Sequence, residues 1–337
     1  MHCFERKTAA YVPSNDMNTS MMKILANDGI SQSGITILEN NGFEVITTKV
    51  AQSQLENYIN ENGIDAILVR SSTQVRQELI EACPSIKLIG RGGVGMDNID
   101  VDYALDNGLH VINTPNASSN SVAELVFAHL FGMVRFLHQL NREMPLEGDS
   151  RFRDMKKDFG NGTELRGKTL GIIGLGRIGR EVAKIALGVG MKVIASDVLV
   201  GNSTIDVPFY NGQSIAVDIE TEPLPEVLKH ADFITVHVPY QEGYVLSTEQ
   251  FNAMKDGVGI INAARGGSVD EVALVQAITA GKVKYAGLDV YEHEPTPEIQ
   301  LLMNPDISLT PHIGASTSEA QDRIGQELAE QIVQLLS

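Results

Sequence analysis

Residues 169–197 constrain the fold more than any other stretch of the chain. Leu170, Ile172 and Ile173 make a short apolar run, as expected of a strand buried on both faces. Gly174-Leu175-Gly176-Arg177-Ile178-Gly179 follows, giving glycines in the order G-x-G-x-x-G. Val182, Ile185, Ala186 and Val189 recur at helical spacing, Gly190 closes that helix, and Val193–Ala195 opens a second strand that ends at Asp197. The first glycine permits a tight turn, the second lets a pyrophosphate approach the backbone, and the third lets helix and strand pack closely. The free N–H groups at the helix start face the phosphates. Asp197 stands where a carboxylate can accept from both ribose hydroxyls, and it would repel a 2′-phosphate, so NAD is expected rather than NADP. A lone glycine signature is weak, but here the strand, the helix and the acid accompany it.

A chain of 337 residues predicts two domains with sizeable cores. Its net charge of -17 argues against nucleic acid or an anionic membrane as a partner. Against that field, any cluster of arginines stands out as a place for an anion. The two cysteines, Cys3 and Cys83, form no C-x-x-C, so neither a disulfide framework nor a zinc site is expected, and no metal. Cys83 reads as a buried, inert thiol. A reducing cytoplasm is the expected setting. No apolar run approaches a membrane span. Residues 1–21 carry no core pattern and read as a disordered tail before the first strand.

From Lys23 to Pro115 the pattern alternates between strand and helix. Strands are predicted at Ile24–Ala26, Phe43–Thr47, Ala66–Val69, Ile86–Ile89 and His110–Asn113, with helical stretches between them. Such alternation predicts a mostly parallel, helix-flanked sheet. A long helix is expected with Ser121 as N-cap, Glu124 completing a capping box, and an apolar body Val122–Leu140. A helix apolar on nearly every face must be buried, between domains or against another subunit. Residues 141–168 read as an exposed polar connection. Asn211-Gly212 signals a hairpin extending the sheet edge, and three more buried strands follow at Phe233–Val238, Val258–Asn262 and Tyr285–Asp289. Ile307–Thr310 leads to Pro311-His312, and a final helix runs from Ser318 to Leu336.

Oxidising an alcohol with NAD requires a base for the hydroxyl proton, a group that orients and charge-stabilises the base, and a cation for the substrate. His312, Glu294 and Arg265 can supply these, each beyond a predicted strand at the ligand-binding end. A carboxylate beside His312 would fix its tautomer, and the planar fork of Arg265 suits a 2-hydroxy or 2-oxo carboxylate. Spacing alone leaves Glu292 and His293 open as alternatives to Glu294. His129 and His138 read as packing residues, and His237 as structural or cofactor-lining. Arg70 and Arg91 each end a strand of the first half, and together would give an acidic protein a local positive pocket suited to a phosphate besides the carboxylate. The competing reading is that Arg91 pairs structurally with Asp97 or Asp100.

From Lys23 to its end the sequence resembles the D-isomer-specific 2-hydroxyacid dehydrogenases. The matching stretches are Arg91-Gly-Gly-Val-Gly-Met-Asp-Asn-Ile-Asp100, the glycine signature, His237-Val-Pro239, Asn262-Ala-Ala-Arg-Gly-Gly267, Leu288-Asp-Val-Tyr-Glu-His-Glu-Pro295 and Pro311-His-Ile-Gly-Ala-Ser-Thr317. Within the family the likeness is greatest to members that oxidise 3-phospho-D-glycerate.

The resemblance implies an α/β protein of two Rossmann-like domains, each a mostly parallel sheet flanked by helices, with a cleft between them. The substrate domain would be discontinuous, 22–115 plus 311–337, and the NAD domain would span 116–310. The catalytic set implied is Arg265, Glu294 and His312, with Glu294 chosen over Glu292. NAD would be lined by Gly174, Gly176, Arg177, Ile178, Gly179 and Asp197, by His237, Val238 and Pro239, and by Ala263, Ala264 and Arg265. Val94, Asp289, His312, Gly314 and Ala315 complete that lining. Substrate would be held by Arg70, Ser71, Arg91, Gly92 and Gly93 together with Arg265 and His312. A homodimer is implied, its partner a small anionic substrate rather than nucleic acid or membrane. Only 25 residues follow His312, so inhibition by serine through a further domain is not expected. Two rival functions stand beside this one: reduction of glyoxylate or hydroxypyruvate, and an NAD-sensing binding protein without turnover.

Overall fold

The computed structural model describes residues 21–337; the expected tail lies, apart from Met21, outside the described residues. The first half alternates β1 (Met22–Ala26), α1 (Gln32–Asn40), β2 (Phe43–Ile46), α2 (Leu55–Asn62), β3 (Ala66–Val69), α3 (Gln77–Ala82), β4 (Leu88–Arg91), α4 (Val101–Asp106) and β5 (His110–Asn113). These five strands form one parallel sheet in the order β2-β1-β3-β4-β5. The strand order reverses between β1 and β3, which opens a crevice beyond their carboxyl ends.

Three helices connect the halves: α5 (Ser119–Val134), α6 (Leu137–Glu147) and α7 (Phe152–Asp158). The second half contains β6 (Thr169–Ile173), α8 (Arg177–Val189), β7 (Lys192–Ser196), β8 (Asn202–Pro208), β9 (Ser214–Glu220) and α9 (Leu224–His230). It continues with β10 (Phe233–Val236), α10 (Thr248–Ala253), β11 (Val258–Asn262), α11 (Glu271–Thr279), β12 (Val283–Leu288), α12 (Ile299–Leu302) and β13 (Ile307–Leu309). Six of its strands form a second parallel sheet, β13-β12-β11-β10-β6-β7, whose order reverses between β6 and β10. The last helix, α13 (Ser318–Leu336), returns to the first sheet. Ile324, Leu328 and Ile332 enter the core around Ile24, Leu68 and Leu88. The chain therefore crosses between halves twice, and the crossings touch: Ser121 Oγ lies 2.8 Å from Thr317 Oγ1, and Arg323 Nε donates to the Ala117 carbonyl.

Several expectations need correction. The helix begins at Ser119, and its N-cap Ser118 makes no side-chain cap. Ser121 is engaged by Thr317 instead, so the predicted capping box does not form. The helix also does not run to Leu140. It breaks at Phe136, whose φ of 56° turns its ring towards Phe159 and Tyr285. No glycine or proline marks that break; tertiary aromatic packing makes it. Up to the break, one face of α5 is buried within the second half, where Val126, Phe127, Leu130 and Met133 pack with α8 and the second sheet, while Phe131 stays exposed. Residues 141–168 are partly helical, through α6 and α7. The Asn211-Gly212 hairpin forms as expected, but β8 and β9 make their own two-stranded sheet, joined to β7 by the single bridge Ala195–Thr221. Cys83 is buried, and burial pushes its thiol up to about 11. Among the described residues no single helix is long and apolar enough to cross a membrane.

Candidate active site

The glycine turn lies at the end of β6, where the second sheet reverses. Gly174 has φ +96°, and a Cβ there would come within 2.5 Å of the His237 carbonyl oxygen. A Cβ on Gly179 would stand 2.1 Å from the Gly174 carbonyl oxygen, so this glycine lets α8 seat against the turn. Gly176 is different. It is exposed, and a Cβ there would meet nothing within 4 Å. It is the open member of the turn and caps α8, where Arg177 and Ile178 begin a helix whose first N–H groups have no intrahelical acceptor. An anion fits that end, so the turn suits a dinucleotide pyrophosphate.

Asp197 accepts from Leu175 N at 2.7 Å, Leu199 N at 2.8 Å and Val200 N at 3.0 Å. It braces the turn, and since a carboxylate has about four acceptor sites, capacity for a hydroxyl remains. Across the crevice stand His237, Val238 and Pro239. His237 Nε2 is 2.9 Å from Thr235 Oγ1, its Nδ1 is sealed and unpartnered, and burial pushes its pKa down to about 3. It is a neutral wall of the crevice. Ala263 and Ala264 are buried beside it, in a loop that Asn262 holds by accepting from Ala264 N and donating to the Arg265 carbonyl.

Two side chains from successive loops meet beyond β12 and β13. His312 Nδ1 lies 2.7 Å from Glu294 Oε2, and Glu294 Oε1 accepts from Tyr291 N at 3.0 Å. Burial alone would push the Glu294 carboxyl up, but the His312 hydrogen bond and charge, the Tyr291 N–H and Arg265 outweigh it and hold the carboxyl below its usual range. The alternatives separate by geometry. Glu292 accepts from Glu271 N while its own N–H donates to Glu271 Oε1, which ties it to the start of α11, and it is Glu294 rather than His293 that reaches His312. Asp289, expected to line the cofactor, is only 1% exposed. It accepts from Ile313 N and Gly314 N and so shapes the turn carrying His312. Ala315 caps that turn, its carbonyl accepting from Gln321.

Arg265 projects across the cleft into the first half. Its Nε donates to Asp97 Oδ2 at 2.9 Å. A Cβ on Gly95 would lie 1.5 Å from Arg265 Nη2, so the loop after β4 is glycine where the guanidinium passes. A Cβ on Gly93 would likewise lie 1.6 Å from Arg91 Nη1. Gly93 thus seats Arg91, Gly92 backs onto Ile324 and Arg70, and Val94 holds Asn113 through its carbonyl. Arg91 does not take either expected structural partner, since Asp97 pairs with Arg265 and Asp100 with Arg76. Its Nε is buried without a partner among the described residues. Desolvation, helped by Arg265 and Arg70, pushes its pKa down to about 10 against the opposing pull of Asp97 and Asp28. Burial also lowers Arg70. Three guanidinium groups thus converge from both halves.

Sequence reasoning missed Asp28, which organises the loop carrying Arg70 and Ser71. Its side chain is 4% exposed and accepts from Arg70 N at 2.7 Å, from Thr73 N and Oγ1, from Ser72 and from Lys49. Burial opposes ionisation, but these donors prevail and pull its pKa down to about 2. Its position after β1, at the strand-order reversal, was the available signal. Asn98 was missed too; it donates to the Arg70 and Thr73 carbonyls. Among the described residues no cluster of three or more His, Cys, Asp or Glu could hold a metal.

Residues 127–314 match the family "D-isomer specific 2-hydroxyacid dehydrogenase, NAD binding domain". A hydroxypyruvate reductase of Thermotoga maritima is 42% identical over 92% of this chain and 97% of its own length. A D-3-phosphoglycerate dehydrogenase of Methanocaldococcus jannaschii is 40% identical over 94% of this chain, which spans only 58% of that relative. Among solved structures, the D-lactate dehydrogenase of Aquifex aeolicus complexed with NAD and lactic acid superposes with a TM-score of 0.69 at 29% identity, covering 92% of this chain and 94% of that one.

Proposed function

This chain belongs to the D-isomer specific 2-hydroxyacid dehydrogenases, NAD-binding oxidoreductases, and from that premise we propose that it oxidises 3-phospho-D-glycerate to 3-phosphohydroxypyruvate, opening serine biosynthesis. The observation that supports this substrate is Arg91: largely buried, its Nε unpartnered, and repelled by Arg70 and Arg265. Like charges gathered out of water are costly, and a substrate carrying both a carboxylate and a phosphate relieves that cost.

Bound in the glycine crevice, NAD supplies the two-electron acceptor. His312 has Nδ1 committed to Glu294, so Nε2 is the nitrogen free to take the hydroxyl proton. Glu294 then stabilises the imidazolium. Arg265, which can exchange Asp97 for substrate, grips the carboxylate and the carbonyl as it forms. Arg70 and Arg91 hold the phosphate. The exposed Phe131, Leu137, Leu146 and Phe152 suit a homodimer built on α5–α7. The composition suits a cytoplasmic enzyme.

A second reading, reduction of unphosphorylated hydroxypyruvate, is favoured by the reductase of nearly equal length at 42% identity. The two separate by assaying phosphorylated and unphosphorylated forms of the same acid. On the first reading the phosphorylated form is preferred and Arg91→Ala abolishes that preference; equal use of both forms contradicts it.

A further inference from the structure

His129 was expected to be a packing residue on α5. Its side chain is enclosed, with 3% of the residue exposed, but both ring nitrogens are engaged. Nε2 lies 3.0 Å from Thr310 Oγ1, and Nδ1 lies 2.9 Å from Ser308 Oγ. Thr310 Oγ1 donates to Asp289 Oδ1 at 2.7 Å. The same oxygen accepts from Ile313 N, Oδ2 accepts from Gly314 N, and the Asp289 carbonyl accepts from His312 N.

The proton order in this chain follows from what each group can do. A carboxylate only accepts, so Thr310 spends its one hydroxyl proton on Asp289. Its oxygen can then only accept from His129, so Nε2 carries the ring proton. Nδ1 is left to accept from the Ser308 hydroxyl. A single neutral tautomer satisfies every group, and burial disfavours the charged ring. The strand beside it is shaped for the imidazole: a Cβ on Gly287 would lie 2.9 Å from His129 Cβ.

The chain ends on a conformation that needs support. His312 has φ 54°, a region in which residues other than glycine persist only when their surroundings fix them. We propose that His129 is a positioning residue for the dehydrogenase reaction: it orients Thr310, Thr310 orients Asp289, and Asp289 holds the turn that presents His312 to Glu294. His129 is 3% exposed and its ring nitrogens face Ser308 and Thr310, so it acts through Thr310. The core of the second half thereby fixes the register of the base.

The inference rests on His312 acting as the base, so its test has an arm that does not depend on turnover. His129→Leu, His129→Gln and Thr310→Val are compared with the wild type, using whichever 2-oxo acid the wild type reduces best. Misplacing a base by a fraction of an ångström should lower kcat about ten- to a hundredfold in His129→Leu and in Thr310→Val. NADH should still bind, as read by fluorescence, and the double variant should be no worse than the worse single one, as for members of one network. The amide of Gln at 129 can still donate to Thr310 and should restore most of kcat. In the protein without ligand, the Gly314 amide resonance should move in His129→Leu and Thr310→Val and stay near its wild-type position in His129→Gln. Should His129→Leu fail to fold, the near-isosteric Thr310→Val carries the test. Wild-type kcat in Thr310→Val, or a Gly314 amide unmoved in both variants, overturns the proposal. So does equal damage in His129→Gln and His129→Leu, which would make the role one of packing alone. Should the wild type reduce no acid, the proposed function fails while the Gly314 resonance still decides this inference.

Discussion

At residue scale, the proposed chemistry depends on a ring with one nitrogen committed and one free. Replacing His312 by Ala removes the group assigned the proton, so turnover should fall by about 10²- to 10⁴-fold. NADH titration should still show binding, because the glycine turn is untouched. Turnover close to wild type would contradict the assignment. Arg265, Glu294 and His312 were legible as candidates because each follows a strand of an open sheet on the side where ligands bind. Glu292 could not be set apart by spacing; the resemblance favoured Glu294, and the reciprocal bonds of Glu292 with Glu271 and the contact of Glu294 with His312 agree with it. Asp97 was legible as charged but not as the partner of Arg265, 168 positions away. Pairing at that range depends on how the two halves face each other, which no local pattern encodes.

At element scale, the glycine turn and the loop after β3 make separate predictions. Gly179→Ala would drive a Cβ against a backbone carbonyl that cannot move aside, so stability should fall by about 1–3 kcal/mol, visible as a lower Tm. Gly176→Ala meets no atom, so Tm should hold while NADH affinity drops, because only an approaching ligand feels that Cβ. Matching effects of the two changes on Tm would contradict the division of roles. In the loop after β3, Asp28 is depressed from 3.8 to about 2. Its contribution is therefore complete above about pH 4 and is lost as pH falls towards 2, a difference of about 2 kcal/mol. Denaturant unfolding of wild type and Asp28→Asn across pH 2–6 should show the gap between them narrowing in that window; a constant gap would mean that Asp28 acts without its charge. The strands were legible because those buried on both faces read as unbroken apolar runs. The break at Phe136 was not, since aromatic packing rather than a breaker residue makes it.

At the scale of the whole molecule, two sheets each reverse their strand order, and the two crevices face one cleft. The second half supplies the glycine turn, His312 and Arg265, while the first supplies Arg70 and Arg91. In a chain of net charge -17, the convergence of three guanidinium groups is a local exception to the field, and on the proposed function it serves an anionic substrate. The arginines could be read from the sequence as strand-end residues. Their mutual repulsion, and the missing partner on Arg91 Nε, belong to the assembled cleft alone.

The measurement that bears most directly on the central claim is the ratio of kcat/KM for 3-phosphohydroxypyruvate to that for hydroxypyruvate, taken for the wild type and for Arg91→Ala. Removing a charged contact to the phosphate should cost about 2–5 kcal/mol, so the ratio should fall at least about thirtyfold in the variant, with hydroxypyruvate kinetics nearly unchanged. A wild-type ratio near one, or a ratio that Arg91→Ala leaves unaltered, would contradict the account.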